Sequence, residues 1–177
     1  MNIFYLNSNP IICAREHCDK HVIKMIVEYA QLLSTAHRVL DGIFSIEKNA
    51  NGSLIPNYRL QNDVDSILYK ASHIKHPCAI WTRFSFSHYD WLFQLFEQCC
   101  LEYTRRYGKT HKTEGLKQYL ITKPKNIHNN DWTEPPLAMP EQYKIIGNTI
   151  QSYRNYYVAE KAAFATWRAP ARMPGWF

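Results

Sequence analysis

The sequence has few glycines and lacks the glycine-rich motifs that bind nucleotides. Only 6 of its 177 residues are glycine. It contains no phosphate-binding loop G-x-x-x-x-G-K-[ST], no dinucleotide fingerprint G-x-G-x-x-G and no nucleophile elbow G-x-S-x-G. The zinc-binding helix motif H-E-x-x-H is absent as well. We therefore do not expect a nucleotide-dependent kinase or a dehydrogenase, because the phosphate-binding turns of those folds depend on glycine.

Paired-cysteine motifs are also missing. The five cysteines are Cys13, Cys18, Cys78, Cys99 and Cys100. Their number is odd, no C-x-x-C occurs, and all lie within or beside apolar runs, which is typical of reduced, buried thiols in an intracellular protein. A zinc site could be drawn from Cys13, Cys18, His17 and His21, but their spacing matches no common structural pattern. We predict neither a metal nor another cofactor.

Segments for membrane insertion or secretion are not evident either. No apolar run approaches the roughly 20 residues that span a bilayer. The start of the chain has no basic region followed by an apolar stretch and a cleavage site. We expect a cytoplasmic protein without a membrane partner.

The residues that are abundant indicate a basic, aromatic-rich globular protein. Hydrophobic residues make up 46% of the chain, which holds 12 tyrosines and 5 tryptophans and has a formal net charge of +6. A chain of 177 residues is the usual size of one domain. We therefore predict a single domain over 1–177, and its charge favours an acidic partner, with DNA or a nucleotide first among candidates.

Hydrophobic spacing predicts a mainly α fold of about five helices. The first helix should run from Pro10, with Asn9 as its N-cap, to about Leu40, with a bend or break near Cys18 and a stop at Gly42. The other expected elements are a polar loop over 43–60, a helix from residue 63 to the His-Pro pair at 76–77, a central helix from residue 87 to Gly108, a short helix over 113–122, a long proline-rich irregular segment over 123–147 and a last helix from residue 149.

One side of the first helix carries an unusual set of polar side chains, which we call the polar stripe. Its members are His17, Lys20, His21, Lys24, Glu28, Gln31, Thr35 and Arg38. The opposite side is apolar and predicts a core contact. The stripe has two interpretations. It is either an ordinary solvated face with pairs such as Lys24–Glu28, or a site of proton transfer and nucleophilic attack.

The second interpretation suggests a specific chemistry. An amine can attack the sugar C1′ of a nucleotide, expel the base and form a Schiff base, while a carboxylate steers protons and stabilises positive charge. The sequence offers two amines, Lys24 and the α-amine of Met1. In this hypothesis Glu28 is the acid, and His17 and His21 assist.

Further residues are candidates for holding nucleic acid, because arginines pair with phosphates and aromatic rings stack on bases. The predicted nucleic-acid contacts are Lys20, Arg38, Arg83, Arg154, Tyr157, Arg172 and Trp176. They come from the polar stripe, from the turn near His73 and His76, and from the last helix and tail. The alternative is that the tyrosines belong to the core and the arginines are solvated.

Several segments resemble a family of small phage-encoded proteins, some of which carry the label pyrimidine dimer DNA glycosylase. The similar segments are 1–6, 17–21, 31–38, 153–157 and the aromatic tail, so the resemblance covers nearly the whole chain. It implies a compact, all-helical enzyme of UV repair that cuts a glycosidic bond and then nicks the strand. Its nucleophile is the N-terminal α-amine, and its essential acid is a glutamate on the first long helix.

Two positions determine whether this chain can have the catalytic groups that the resemblance implies. Glu28 is the closest counterpart of the essential glutamate, and Glu16 is the second candidate. The repair enzyme exposes its amine after removal of its initiator methionine, whereas Asn2 is larger than the residues that usually permit this removal. We therefore expect Met1 to stay in place, which leaves the identity of the nucleophile open.

The sequence thus predicts a DNA glycosylase, with or without AP lyase activity, that acts on a damaged or modified pyrimidine. Two other hypotheses stay open: a non-catalytic nucleotide- or nucleic-acid-binding accessory protein of a phage, and a transferase that modifies DNA bases. A structure that places Met1, His17, Lys24 and Glu28 in one cleft with Arg154 would favour the enzyme.

Overall fold

Two long helices, α2 (Asp19–Asp41) and α5 (Phe86–Tyr107), pack against each other at the centre of the fold. The computed structural model describes residues 1–48, 50–61 and 63–177. The other elements are α1 (Pro10–Glu16), β1 (Ile43–Lys48), β2 (Leu54–Arg59), α3 (Val64–Ile67), α4 (Pro77–Phe84), α6 (Lys117–Leu120), α7 (Thr149–Lys161) and two 3-10 turns at Lys112–Leu116 and Glu141–Tyr143. The predicted mainly α class is confirmed, although the described residues form seven α-helices rather than about five.

The first residues of the chain run through the core. Residues 3–6 are buried, and Phe4, the most exposed of them, has only 6% of its surface accessible. Tyr5 packs against Trp91 of α5 with ring centroids 5.0 Å apart, and Phe4 stacks on His21 of α2 at 4.4 Å. This burial brings residue 1 to the side of α2.

The predicted break in the first helix lies between α1 and α2. His17 and Cys18 are both extended. The His17 ring stabilises the break, because its Nδ1 donates to the Cys13 carbonyl at 2.6 Å while its Nε2 accepts from the Tyr29 hydroxyl at 2.8 Å. The predicted N-cap is also confirmed, since Asn9 accepts two backbone N–H groups of the first turn.

Two predictions between the long helices were wrong. The expected loop over 43–60 contains an antiparallel hairpin in which β1 pairs with β2 from Ile43–Arg59 to Lys48–Leu54, and Asn49 lies outside the described residues. The expected helix from residue 63 to 76 is the single turn α3. His76-Pro77 starts a helix rather than ending one, because proline suits the first helical position and the extended residue before it can act as N-cap.

The second half of the chain follows the prediction more closely. The central helix ends at Gly108, whose positive φ of 63° suits glycine. The same helix begins at Phe86, one residue before the predicted start, and its N-cap Ser85 makes no side-chain capping hydrogen bond. Segment 123–147 is irregular except for one 3-10 turn, and the last helix starts at Thr149 as predicted.

Buried side chains from α1, α2, α4, α5, α6 and α7 form one contiguous core. All five cysteines are buried within it, and none is in a disulfide. None of the helices in the described ranges combines the length and the apolar character needed to cross a membrane.

Candidate functional site

A polar cleft of about 280 Å³ lies beside the N-terminal half of α2. We call it the Glu28 cleft. Its lining residues are Met1, Asn2, Phe4, His21, Lys24, Met25, Glu28, His76, Ala138, Tyr156 and Lys161. Residues from the start of the chain, α2, the start of α4, the irregular segment and α7 therefore meet at one place.

Two amines face the Glu28 carboxylate. The α-amine of Met1 lies 4.0 Å from Oε2, and Lys24 Nζ lies 3.2 Å from Oε1. The backbone N–H of Asn2 donates to Oε2 at 3.3 Å. The Glu28 side chain is 16% exposed, and that of Lys24 is 70% exposed. An amine and a carboxylate in contact at an accessible surface are the groups that Schiff-base chemistry requires.

The side chain of Asn2 holds the start of the chain in position. Its Nδ2 donates to the Ala138 carbonyl at 2.8 Å, and its Oδ1 accepts from the Tyr153 hydroxyl at 3.0 Å. The Met1 side chain is only 3% exposed and packs against the core. With residues 1 and 2 anchored in this way, the α-amine has little freedom to leave Glu28.

His21 is a neutral, nearly buried imidazole in the cleft. It is 6% exposed, and burial lowers its pKa to about 3, with further lowering by His17, Lys161 and Lys24. Its ring also meets Tyr157 edge-on at 4.9 Å. Its Nδ1 is buried and has no hydrogen-bond partner in the part of the chain that the structure describes.

His76 is held in one tautomer by its place at the start of α4. Its Nδ1 accepts from the Cys78 backbone N–H at 3.2 Å, so the proton of the neutral ring is on Nε2. Burial lowers the pKa of His76, and the nearby α-amine of Met1 lowers it further. The ring therefore presents an N–H donor and no charge at neutral pH.

Lys161 and Tyr156 form the wall contributed by α7. Lys161 Nζ lies 3.3 Å from the Tyr156 hydroxyl and 4.6 Å from the centre of its ring. The Tyr156 ring is nearly parallel to that of Phe4, at 6.2 Å. The turn at His76 was noted in the sequence, whereas the anchoring role of Asn2 had no local signal.

Of the predicted catalytic residues, Met1, His21, Lys24 and Glu28 line the cleft, and His17 does not. His17 is fully buried at the break between α1 and α2, where both ring nitrogens bond within the protein. Burial lowers its pKa to about 4. We therefore assign His17 to the core rather than to the site.

Two predicted nucleic-acid contacts are structural residues. Arg38 is fully buried, and its guanidinium donates five hydrogen bonds to Asp65 and to nearby carbonyls. Tyr157 is fully buried, and its hydroxyl accepts the Cys18 N–H at 2.9 Å. Neither side chain can reach DNA without unfolding the region around it.

Arg154 and Trp176 pack on each other outside the cleft. The Arg154 guanidinium lies 5.0 Å from the Trp176 ring, donates to the Leu6 carbonyl at 3.0 Å and pairs with Glu16 at 3.6 Å. Burial raises the pKa of Glu16, opposed by the Trp176 indole and by Arg154. Arg154 therefore does not line the Glu28 cleft. Glu16, the second candidate for the essential acid, pairs with Arg154 and also lies outside the cleft.

The remaining predicted DNA contacts lie outside the lining of the cleft. Lys20 is exposed, with its Nζ 4.8 Å from the Phe164 ring, and Arg172 is exposed on the tail. Arg83 is half-buried, and burial lowers its pKa. Lys20 and Arg172 are free to contact a large ligand, whereas Arg83 has less freedom to do so.

No group of three or more His, Cys, Asp or Glu side chains within 1–48, 50–61 and 63–177 is arranged to hold a metal ion. The residues once considered for zinc have other contacts. Cys13 Sγ, for example, donates to the Phe4 carbonyl at 3.2 Å.

Comparison of the chain with protein-family models, curated proteins and solved structures found no match.

Proposed function

We propose that this protein is a DNA glycosylase and AP lyase that processes a damaged or modified pyrimidine nucleotide through an amine nucleophile. The observation that carries the proposal is the contact of Glu28 with the Met1 α-amine and with Lys24 in one accessible cleft. The resemblance to glycosylase-labelled phage proteins points to the same pair of groups.

The geometry suits the first chemical step. A neutral amine adds to the sugar C1′ as the base leaves, and the resulting iminium carries a positive charge. Glu28 lies within 3.2–4.0 Å of both amines, so its carboxylate can accept a proton from either one and stabilise that charge. Uncharged His21 and His76 line the same space and do not repel the iminium, and the Nε2–H of His76 can hydrogen-bond to the sugar.

Two amines compete for the role of nucleophile. The α-amine of Met1 is anchored by the core and by Asn2, so its attack would cost little conformational entropy. Lys24 is mostly exposed and carries its amine on a flexible four-carbon chain. The Asn2 nitrogen is 3.3 Å from Glu28, so an α-amine would also face Glu28 if methionine were removed. Pre-organisation favours the α-amine.

Borohydride trapping tests the proposal. The intact protein is incubated with UV-irradiated or abasic duplex DNA and sodium borohydride, which reduces a Schiff base to a stable adduct. We expect a covalent protein–DNA adduct, and peptide mass spectrometry should place it on residue 1. An adduct on Lys24 would support the proposed function but would identify Lys24, and not the α-amine, as the nucleophile.

Absence of both an adduct and a strand nick would refute the amine mechanism. Binding measurements on the same samples then separate the remaining hypotheses. DNA binding that persists unchanged in Glu28→Gln, with no turnover by the unmodified protein, would identify a non-catalytic accessory protein instead.

A further inference from the structure

An open groove of about 420 Å³ lies beside the start of α5, and its exposed lining is mainly apolar. We call it the aromatic groove. It is lined by four aromatic residues, Tyr5, Phe86, Trp91 and Trp132, together with Asp90 and three uncharged polar residues. None of these residues lines the Glu28 cleft. The aromatic groove is therefore separate from the site of the proposed DNA chemistry.

Two rings of the aromatic groove are exposed to solvent. Phe86 is 44% exposed and Trp132 is 42% exposed, whereas Tyr5 and Trp91 are buried and pack on each other with ring centroids 5.0 Å apart. Trp132 contacts Trp91 at 6.2 Å, and within the described residues it has no ring contact with Phe86. The two exposed rings thus border one cavity without closing it. Exposed apolar surface of this kind marks an interaction site.

Both exposed rings are held in place by the protein itself. The Trp132 ring packs edge-on against Trp81 at 5.7 Å and against His88 at 5.4 Å. His88 also accepts the backbone N–H of the residue after Trp132 at 2.9 Å, which fixes this segment of the chain. Lys123 Nζ lies 4.0 Å from the centre of the Phe86 ring. Because the rings are ordered in advance, a ligand that packs on them loses less entropy.

The charge of the aromatic groove does not suit a nucleic acid or a cationic ligand. Asp90 is the single charged residue among its described lining residues. It pairs with Lys123 at 2.9 Å and accepts from the Gln94 amide at 2.8 Å. The lining therefore has no cation for a phosphate. Lys123 also neutralises Asp90 and occupies the Phe86 ring, where a cationic ligand would bind. The ligand that fits is uncharged and apolar.

An unused hydrogen-bond donor indicates the conformation of this ligand. The indole N–H groups of Trp81 and Trp91 donate to backbone carbonyls at 3.0 and 2.8 Å, whereas the Nε1–H of Trp132 has no partner in the described part of the chain. A polyproline II segment has no internal hydrogen bonds, so its carbonyls are free to accept such a donor, and its proline rings pack on aromatic side chains. A helix uses its own carbonyls internally.

We propose that the aromatic groove binds a proline-rich segment of another protein in the polyproline II conformation. Its proline rings pack on Phe86 and Trp132, and one of its backbone carbonyls accepts from Trp132 Nε1. Such a segment is already extended before it binds and loses little conformational entropy, which suits a small groove. The proposal does not depend on the proposed function, because no residue lines both the groove and the Glu28 cleft.

Nuclear magnetic resonance of the isotopically labelled, intact protein tests the proposal. The probes are capped decaproline and a capped Gly-Ser peptide of the same length. The five tryptophans give five indole N–H signals, and Trp132→Phe identifies the signal of Trp132 by its loss. We expect decaproline to bind with a Kd between about 1 μM and 1 mM and to shift the Trp132 signal most. The Gly-Ser peptide should shift no signal. Absence of a saturable shift of the Trp132 signal with decaproline would overturn the proposal.

Two variants divide the contributions of the ring and the donor. Phe86→Ala should weaken decaproline binding at least about tenfold, or about 1.4 kcal/mol, because a ring that packs on proline is lost. Trp132→Phe keeps a ring and removes the donor, so it should weaken binding about 2–10-fold. Phe44→Ala is the matched control, because Phe44 is 56% exposed on β1 and lies outside the groove. Thermal unfolding shows that each variant is folded. Equal affinities of Phe86→Ala and the unmodified protein would overturn the proposal.

An oligothymidine single strand tests the alternative ligand. The affinity for decaproline should not change between about 50 and 500 mM salt, because no ion pair forms. Oligothymidine should leave the Trp132 signal unshifted. A shift of that signal by oligothymidine that weakens with salt, without a shift by decaproline, would overturn the proposal and assign the aromatic groove to nucleic acid.

Discussion

The two halves of the polar stripe on α2 have opposite environments. Lys24 and Glu28, in the first half, border a cleft. Thr35 and Arg38, in the second half, are fully buried. A helical pattern places all four side chains on one side of the helix, so the pattern does not distinguish the two halves.

The halves differ most in how completely their charges are satisfied. Arg38 uses five hydrogen bonds of 2.5–2.9 Å, one of them to the Asp65 carboxylate. Among the described residues, Glu28 is paired with an exposed lysine at 3.2 Å, a backbone N–H at 3.3 Å and an α-amine at 4.0 Å. A saturated buried charge stabilises a fold, whereas a loosely paired charge at a cleft can bind a ligand or move a proton.

The Glu28→Gln variant should show the largest effect on activity. Amide replaces carboxylate with little change in shape, so strand nicking should fall about 10²–10³-fold or more because proton transfer and charge stabilisation are lost. Nicking rates on abasic DNA measure the change. The free energy of unfolding should move by less than about 1 kcal/mol, since the ion pairs of Glu28 are partly exposed.

Glu97→Gln is the control for that variant, because Glu97 pairs with Lys117 on the surface of the central helix. Its nicking rate should match that of the unmodified protein. Equal rates for Glu28→Gln and the unmodified protein would mean that the cleft is not catalytic.

Arg38→Met should show the largest effect on stability. The change leaves four carbonyls and the partly exposed Asp65 carboxylate without this donor, and each buried acceptor left unpaired typically costs about 1–3 kcal/mol. Urea unfolding measures this loss. Arg59→Met, which removes an exposed pair with Glu47, should change stability by less than about 0.5 kcal/mol. Similar losses of stability in both variants would contradict the structural role of the buried Arg38 guanidinium.

Stability should also fall as the solution becomes acidic, because three buried histidines are held neutral. Burial lowers the pKa of His17 and of His37 to about 4 and that of His21 to about 3, whereas an unfolded histidine titrates near 6.5. The unfolded state therefore binds protons first. The stabilisation is complete above about pH 6.5 and is lost as the pH falls toward 4, by roughly 2 kcal/mol per histidine at pH 5.

Denaturant unfolding at pH 7.5 and pH 5 measures this loss. His17→Gln should have a smaller difference between the two pH values than the unmodified protein. His128→Gln, at an exposed position, should have the same difference as the unmodified protein. A stability that does not change between the two pH values would show that these rings are not buried in neutral form.

Lys24→Met should have the smallest effect if the α-amine is the nucleophile. Its pair with Glu28 is exposed and contributes less than about 0.5 kcal/mol to stability. Nicking should then decrease by less than about tenfold, which corresponds to roughly 1.4 kcal/mol. Loss of borohydride trapping in this variant would instead identify Lys24 as the nucleophile and would assign the anchored N-terminus a structural role.

Local sequence patterns correctly predicted the helix ends that are marked by a capping residue. Asn9 before Pro10 starts α1, and Gly108 ends α5 with the positive φ that glycine tolerates. The same rules misplaced the region around Pro77, because a proline that ends one helix is also a good first residue of another. The β-hairpin was missed because most of its side chains are exposed and do not alternate clearly.

The sequence by itself determined the helical class and the four-residue spacing that brings Lys24 next to Glu28, because both depend on neighbours along one helix. Only the tertiary structure decided that the Met1 α-amine joins them. Asn2 holds that amine through Ala138 and Tyr153, which are 136 and 151 residues away. The tertiary structure also decided that Arg38 lies in the core and Glu28 in the cleft. The burial of a helical residue depends on which other segments pack over it, and the spacing of residues along the helix does not reveal this.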